Sequence, residues 1–190
     1  MGVESDPREG EVLLALARSA IASSFGAVSP ADDANWLAEP GAVFVTLTQE
    51  GQLRGCIGSL EAHRSLLDDV THNARAAAFS DPRFPPLEAS DLTRTRIEVS
   101  LLSPPELLPP STEEEVLGLL RPGVDGVILT WHGHRGTFLP QVWEQLPDPG
   151  DFLARLRLKA GLPQTFWDAD VRVHCYTVTA WKETIGEGSP

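Results

Sequence analysis

Residues 42–58 constrain this chain more than any other stretch. Ala42-Val43-Phe44-Val45-Thr46-Leu47-Thr48 is rich in residues that suit a strand, and Glu50-Gly51 is a turn signal. Residues 52–58 then return as the second arm of a hairpin, and that arm contains Arg54-Gly55-Cys56-Ile57-Gly58. Alternation puts Arg54, Cys56 and Gly58 on one face. A two-residue loop would give the same face Val43, Val45 and Leu47 from the first arm. Glu-Gly is not the best hairpin pair, so the register is weakly specified. A guanidinium on an apolar face is costly unless it is paired or the face opens into a pocket. Glycine inside a strand weakens it unless another backbone or a ligand comes close. Gly55 and Gly58 are therefore expected to open access to a ligand at Cys56.

Elsewhere the chain alternates helix and strand signals. An amphipathic helix is expected over residues 9–25, with Leu13, Leu16, Ala17, Ala20 and Ile21 on one face and Gly26 as its stop. Ser65 and Asp68 form a capping box for a helix to about Phe79. A proline-dense turn, Ser80-Asp81-Pro82-Arg83-Phe84-Pro85-Pro86, follows. A strand is expected over 96–103, a proline spacer through Pro109-Pro110, and a short helix from the Thr112/Glu115 box to Leu120. Residues 126–131 and 135–139 read as a hairpin around His132-Gly133-His134. Pro140 suits a helix start over 141–145, residues 151–160 form one more helix, and 170–181 alternate as a last strand. No regular βαβ rhythm links these elements. The pattern predicts an α+β fold with an antiparallel sheet, as one domain over 1–190, divisible into two lobes.

Charge excludes some partners. The 190-residue chain carries a net charge of −12, with lysine only at Lys159 and Lys182. Nucleic-acid and anionic-membrane surfaces call for clustered cations, so neither is an expected partner. The start, Met1-Gly2-Val3-Glu4-Ser5-Asp6, lacks the basic and apolar runs of a secretory signal. With two cysteines and no such signal, a reducing, cytoplasmic setting with free thiols is expected.

The candidate chemistry centres on Cys56. A thiolate needs a nearby positive charge and access. Arg54 is placed to lower the Cys56 pKa, and the alternative is a small buried hydrophobe. Cys175 has no charged neighbours and reads as core. The prolines around Arg83 would hold its guanidinium ready to clamp a carboxylate or phosphate. The equal alternative is a local Asp81–Arg83 pair that stiffens the turn. His132 and His134 flank a glycine at a hairpin tip, with no further ligand set at useful spacing, so no metal is expected. The sequence does not name a cofactor.

Several segments together carry a resemblance. Leu53-Arg54-Gly55-Cys56-Ile57-Gly58, Asp81-Pro82-Arg83-Phe84-Pro85-Pro86-Leu87 and Ile97-Glu98-Val99-Ser100-Leu101-Leu102 match the AMMECR domain family in order and spacing. So do Gly123-x-x-Gly126-Val127-Ile128, Phe138-Leu139-Pro140-Gln141-Val142 and Lys159-Ala160-Gly161-Leu162. The chain is most similar to the bacterial AmmeMemoRadiSam system protein A subgroup. The resemblance implies two α+β lobes with a cleft between them, and a Memo-like protein and a radical-SAM protein as partners. It carries no settled activity. The family's signature cysteine and arginines fall on Cys56, Arg54 and Arg83. Near the end an aromatic followed shortly by Glu is usual, and Trp181-Lys182-Glu183 keeps that sense with an extra Lys.

Two functional readings follow. One is an enzyme or enzyme component acting on a small anionic substrate. Cys56 would be nucleophile or thiol reductant, Arg54 would tune it, and Arg83, Asp81, Gly55 and Gly58 would form the substrate site. The other is a non-catalytic partner-binding protein using the same cleft, which the lack of a proton-transfer group near Cys56 in sequence favours.

Overall fold

A computed structural model describes residues 7–27, 34–109 and 112–184. The leader reading at Met1–Asp6 and the spacer proline Pro110 lie outside the described residues. In chain order the elements are α1 (Pro7–Ser23), β1 (Pro40–Gly41), β2 (Val43–Gln49), β3 (Gln52–Gly58), β4 (Arg64–Ser65), α2 (Leu66–Phe79), β5 (Thr95–Leu102) and β6 (Glu106–Leu107). They continue with α3 (Glu113–Leu119), β7 (Gly126–Trp131), β8 (His134–Phe138), α4 (Pro149–Lys159), β9 (Arg172–Tyr176) and β10 (Val178–Lys182). The class is α+β with antiparallel sheets. The chain divides into one unit of residues 1–102 and 179–190, and a second of residues 103–178.

In the first unit an antiparallel sheet runs in the order β10-β5-β2-β3. One face of it is apolar. Val43, Val45 and Leu47 of β2 and Ile97 and Val99 of β5 are fully buried against Leu13, Ala17 and Ile21 of α1 and Val70, Ala74 and Ala77 of α2. The strict alternation of buried and half-buried positions along β2 is the period-2 signature of a sheet covered on that face. Helix α2 begins where the Ser65 side chain accepts the Asp68 N–H, as the sequence predicts. Its buried Asp69 accepts from the Val43 N–H at 2.9 Å and from Ser59 Oγ at 2.7 Å, which ties the helix to the start of β2 and the end of β3.

The hairpin differs from expectation in one residue. The turn is the two-residue loop, with Glu50 and Gly51 both at positive φ (51° and 78°) as a type I′ turn requires. Gln49 faces Gln52 and Thr48 faces Leu53, but Leu47 faces Gly55. Arg54 is the extra residue of a β-bulge. The slip moves every later side chain of β3 to the opposite face. Cys56 therefore lies opposite Thr46, and Gly58 opposite Phe44, on the face turned away from α2. The expected apolar companions Val43, Val45 and Leu47 are on the other face, with Gly55.

The second unit has an antiparallel sheet in the order β6-β9-β7-β8. Val127, Leu129 and Val173 pack with Phe152, Leu153 and Leu156 of α4, and Trp143 stacks on Phe152 with ring centroids 3.7 Å apart. Arg157 is buried here. It donates to the Phe166 carbonyl at 2.8 Å and pairs with Glu113 of α3 at 2.6 Å. Residues 140–144 form a 3-10 turn rather than an α-helix. The long strand expected over 170–181 is two strands. Its alternation continues through Thr177, but there the backbone bonds to Ser103, accepting from its N–H at 2.9 Å and donating to its Oγ at 3.0 Å. β9 and β10 consequently join different sheets.

A candidate site at the edge strand

β3 is an edge strand, so every second residue presents an unpaired N–H and C=O outward. At Cys56 both groups are satisfied by the proline-rich turn. Asp81 Oδ2 accepts the Cys56 N–H at 2.9 Å, and Arg83 Nη2 donates to the Cys56 carbonyl at 3.1 Å. The two side chains are also paired with each other. Arg83 Nη2 reaches Asp81 Oδ2 at 2.7 Å, while Arg83 Nε and the Arg83 backbone N–H reach Oδ1 at 3.0 and 3.1 Å. One carboxylate and one guanidinium thus replace the missing neighbour strand at a single residue.

The electrostatics follow from that geometry. Asp81 is 4% exposed, and its carboxyl is held well below the usual carboxylate range. The Arg83 hydrogen bond is the largest cause; burial opposes it, and the Cys56 and Arg83 backbone N–H groups add to it. Arg83 is held protonated above its ordinary value, first by Asp81 and further by its closeness to the Cys56 side chain. Its side chain is 54% exposed, and Nη1 makes no hydrogen bond among the described residues. The local Asp81–Arg83 pair weighed from the sequence therefore forms. It uses two of the three guanidinium nitrogens.

Because the Cys56 backbone groups point outward to this clamp, Cys56 and Thr46 form a non-hydrogen-bonded cross-strand pair, the closer kind. Thr46 Oγ1 donates to Cys56 Sγ at 3.3 Å. The thiol is half-buried. Thr46 pairs in turn with Glu98 of β5, and Glu98 makes an ion pair with Lys182 of β10 at 3.5 Å. Cys56, Thr46, Glu98 and Lys182 thus form one row across four strands, on the face away from the helices.

The other expected residues are placed as follows. Arg54, on the bulge, donates to the Pro86 carbonyl at 3.4 Å. Its charge also contributes, behind the Arg94 hydrogen bond and other causes, to holding the Asp91 carboxyl low. The guanidinium that reaches Cys56 is that of Arg83. Gly55 does not line the Cys56 face. A Cβ there would stand 2.1 Å from the Ala77 carbonyl oxygen, so its bareness lets α2 approach β3. At Gly58 a Cβ would fall 2.2 Å from the Phe44 ring, which covers it. The access argument for both glycines is replaced by close packing. Cys175 is packed against the second core, and burial pushes its thiol up to about 12.

Among the described residues no group of three His, Cys, Asp or Glu side chains could hold a metal, and no helix is long and apolar enough to cross a membrane. Sequence reasoning missed Thr46, Glu98 and Lys182. The available signal was Glu98 itself, a charged residue inside the β-rich run Ile97-Glu98-Val99.

An antiparallel sheet with two helices on one face and a clamped edge cysteine beside the other is the α+β frame of the first unit. The chain belongs to the AMMECR1 family, whose family model matches residues 14–181. A Methanothermobacter thermautotrophicus protein is 38% identical over 181 residues, covering 92% of this chain and 94% of its own. Protein MK0488 of Methanopyrus kandleri is 34% identical over 200 residues, covering 99% and 95%. The crystal structure of the uncharacterized protein PH0010 from Pyrococcus horikoshii superposes with a TM-score of 0.78 at 34% identity, covering 98% of this chain and 97% of that one.

Proposed function

We propose that this chain is a cytoplasmic, Cys56-centred enzyme or enzyme component that acts on a small anionic substrate, working with a Memo-like protein and a radical-SAM protein. The observation that supports this most is the fixed position of the half-exposed Cys56. Its N–H and C=O are held by Asp81 and Arg83, and a hydroxyl contacts its sulfur. A reacting atom held this way meets the positioning demand of nucleophilic chemistry. Cys56 is the nucleophile or thiol reductant, Asp81 and Arg83 are its positioning residues, and the Nη1 edge of Arg83 takes the substrate anion. Arg54 adds positive charge from the bulge.

A second reading, a non-catalytic partner-binding protein, is favoured by one observation. Arg83 is committed to Asp81 and to the Cys56 carbonyl, which is what closing an edge strand requires. The deciding experiment incubates the protein and Cys56→Ser with a small-molecule extract of the native cell, followed by mass spectrometry. The enzyme reading predicts depletion of a small acid, or an adduct on Cys56, in the parent only. Identical extracts with no adduct, alongside retention of a protein partner by both forms, would replace it with the binding reading.

A further inference from the structure

We infer that the outer edge of β10 docks an extended peptide segment of a partner protein, which adds to the first sheet as a fifth strand. The segment carries a basic and an acidic residue with an apolar residue between them. This surface lies at the opposite edge of the sheet from Cys56 and does not depend on the reading of that residue.

Among the described residues β10 pairs only with β5. The Glu183 N–H donates to the Ile97 carbonyl at 2.9 Å, so Glu183 and, by alternation, Trp181 turn their backbone groups inward. Ala180 and Lys182 turn theirs outward, and both residues are exposed. No described group bonds to those outward N–H and C=O groups. Edge strands are ordinarily blunted or covered. This one opens into a recess of about 860 Å³, with Leu14 and Arg18 of α1 on the wall facing residues 180–184. Peptide- and ligand-binding recesses are commonly about 300–1,000 Å³.

The recess is fixed at both ends. At one end the Trp181 ring lies on Gly10, where a Cβ would stand 2.2 Å from it. Glycine inside a helix is destabilising, and here it lets α1 come down over β10. At the other end Arg18 is held by Glu183 at 2.5 Å and by the Leu92 and Thr95 carbonyls at 3.1 and 2.8 Å. An open strand edge walled by a helix is the arrangement that takes up a single extended peptide, with main-chain bonds for affinity and alternate side chains for specificity. A second copy of this chain fits poorly, because its β10 would bring its own α1 onto the same face.

The charges define the peptide. Arg18 is paired with Glu183, and Lys182 with Glu98. Glu11 and Arg96 also line the recess, and neither side chain has a partner among the described residues. Glu11 follows Gly10 at the Trp181 end. Arg96 precedes Ile97, which faces Glu183, so it stands at the other end. Three strand residues separate Trp181 from Thr184, about 10 Å. A basic and an acidic residue some three positions apart would meet Glu11 and Arg96, with the apolar residue between them on Trp181 and Leu14.

The test pans a displayed library of random octapeptides on the parent and on Ala180→Pro at physiological ionic strength. Proline is tolerated on an edge strand where the N–H faces solvent, and it removes that donor. Peptides with the basic–apolar–acidic pattern should be enriched on the parent and bind Ala180→Pro about tenfold more weakly or worse in fluorescence titrations. N-methylation of one alternate set of amides in the best peptide should have the same effect, and of the other set none. Arg96→Gln should weaken binding about threefold or more and relax the demand for the acid. No enrichment on the parent overturns the inference. So does a best peptide that binds Ala180→Pro as well as the parent, or one indifferent to both N-methylation patterns. A parent that sediments as a dimer while Ala180→Pro sediments as a monomer assigns the edge to a second copy and also overturns it. If Ala180→Pro does not fold, the N-methylated peptides decide alone.

Discussion

Replacing Asp81 with asparagine keeps the shape of the clamp and removes its charge. In the parent the carboxylate accepts four hydrogen bonds, from the Cys56 N–H, the Arg83 N–H, Arg83 Nε and Arg83 Nη2. The amide offers one oxygen, and its NH2 group would face donors, so two of the four are lost. Hydrogen bonds to charged groups are worth about 1.5–3 kcal/mol each, and the exposed Arg83 recovers part of this by returning to water, which leaves a loss of about 3 kcal/mol. For a chain of this size that lowers the Tm by roughly 6–12 °C. The pH dependence gives a second check. The folded pKa of Asp81 is depressed, so its stabilisation is fully present above its unfolded value, about 3.9, and is lost as pH falls toward the folded value. The gap between parent and Asp81→Asn should therefore be constant from pH 7 to 5 and narrow below pH 4. Calorimetric melts at pH 7, 5 and 3 measure it. A Tm within 1 °C of the parent at pH 7, or a gap that does not narrow in acid, would refute the clamp.

Three other outcomes follow from the packing. Gly55→Ala should lose about 1–3 kcal/mol by urea unfolding, because its Cβ meets backbone at Ala77; a neutral result would mean α2 does not sit as described. Arg83→Lys should melt below the parent even without a ligand, since an ammonium cannot span Asp81 and the Cys56 carbonyl; an unchanged midpoint would return Arg83 to a purely ligand-facing role. Glu183→Gln should lose about 2 kcal/mol in thermal melts. Its carboxylate takes two bonds from Arg18, each 2.5 Å, and the Ile97 N–H at 2.9 Å, and an unaltered melt would contradict that anchoring role.

What the sequence showed depended on how local the cause was. The Thr112/Glu115 capping box forms as read, and at Ser65/Asp68 the serine cap forms while the Asp68 carboxylate takes the Ser65 hydroxyl in place of its backbone N–H; both are contacts between residues three apart. β3 covers 52–58 as read, since its turn lies beside it. The register did not follow, because the bulge at Arg54 places Gly55, rather than a side chain, under the Ala77 backbone, and that contact spans 22 positions. The same holds at the site. The Asp81–Arg83 pair was legible as a neighbour contact, but its grip on Cys56 joins segments 25 apart in the chain. Glu98 relates to Cys56 only through Thr46, across two strand pairings that need the register first. The break at Thr177 was hidden because alternation of side chains does not report which sheet a strand joins.

The central claim is that Cys56 is an accessible, fixed thiol in the native protein. The direct measurement is iodoacetamide labelling of the folded protein between pH 7 and 9, with Cys56 and Cys175 resolved by peptide mass. Cys175 is half-buried like Cys56, but burial pushes its thiol up to about 12, so it should label far more slowly than Cys56 across this range. Cys56 should label first, from the native state. Labelling of both cysteines together at the unfolding rate would contradict the account and make Cys56 a packing residue.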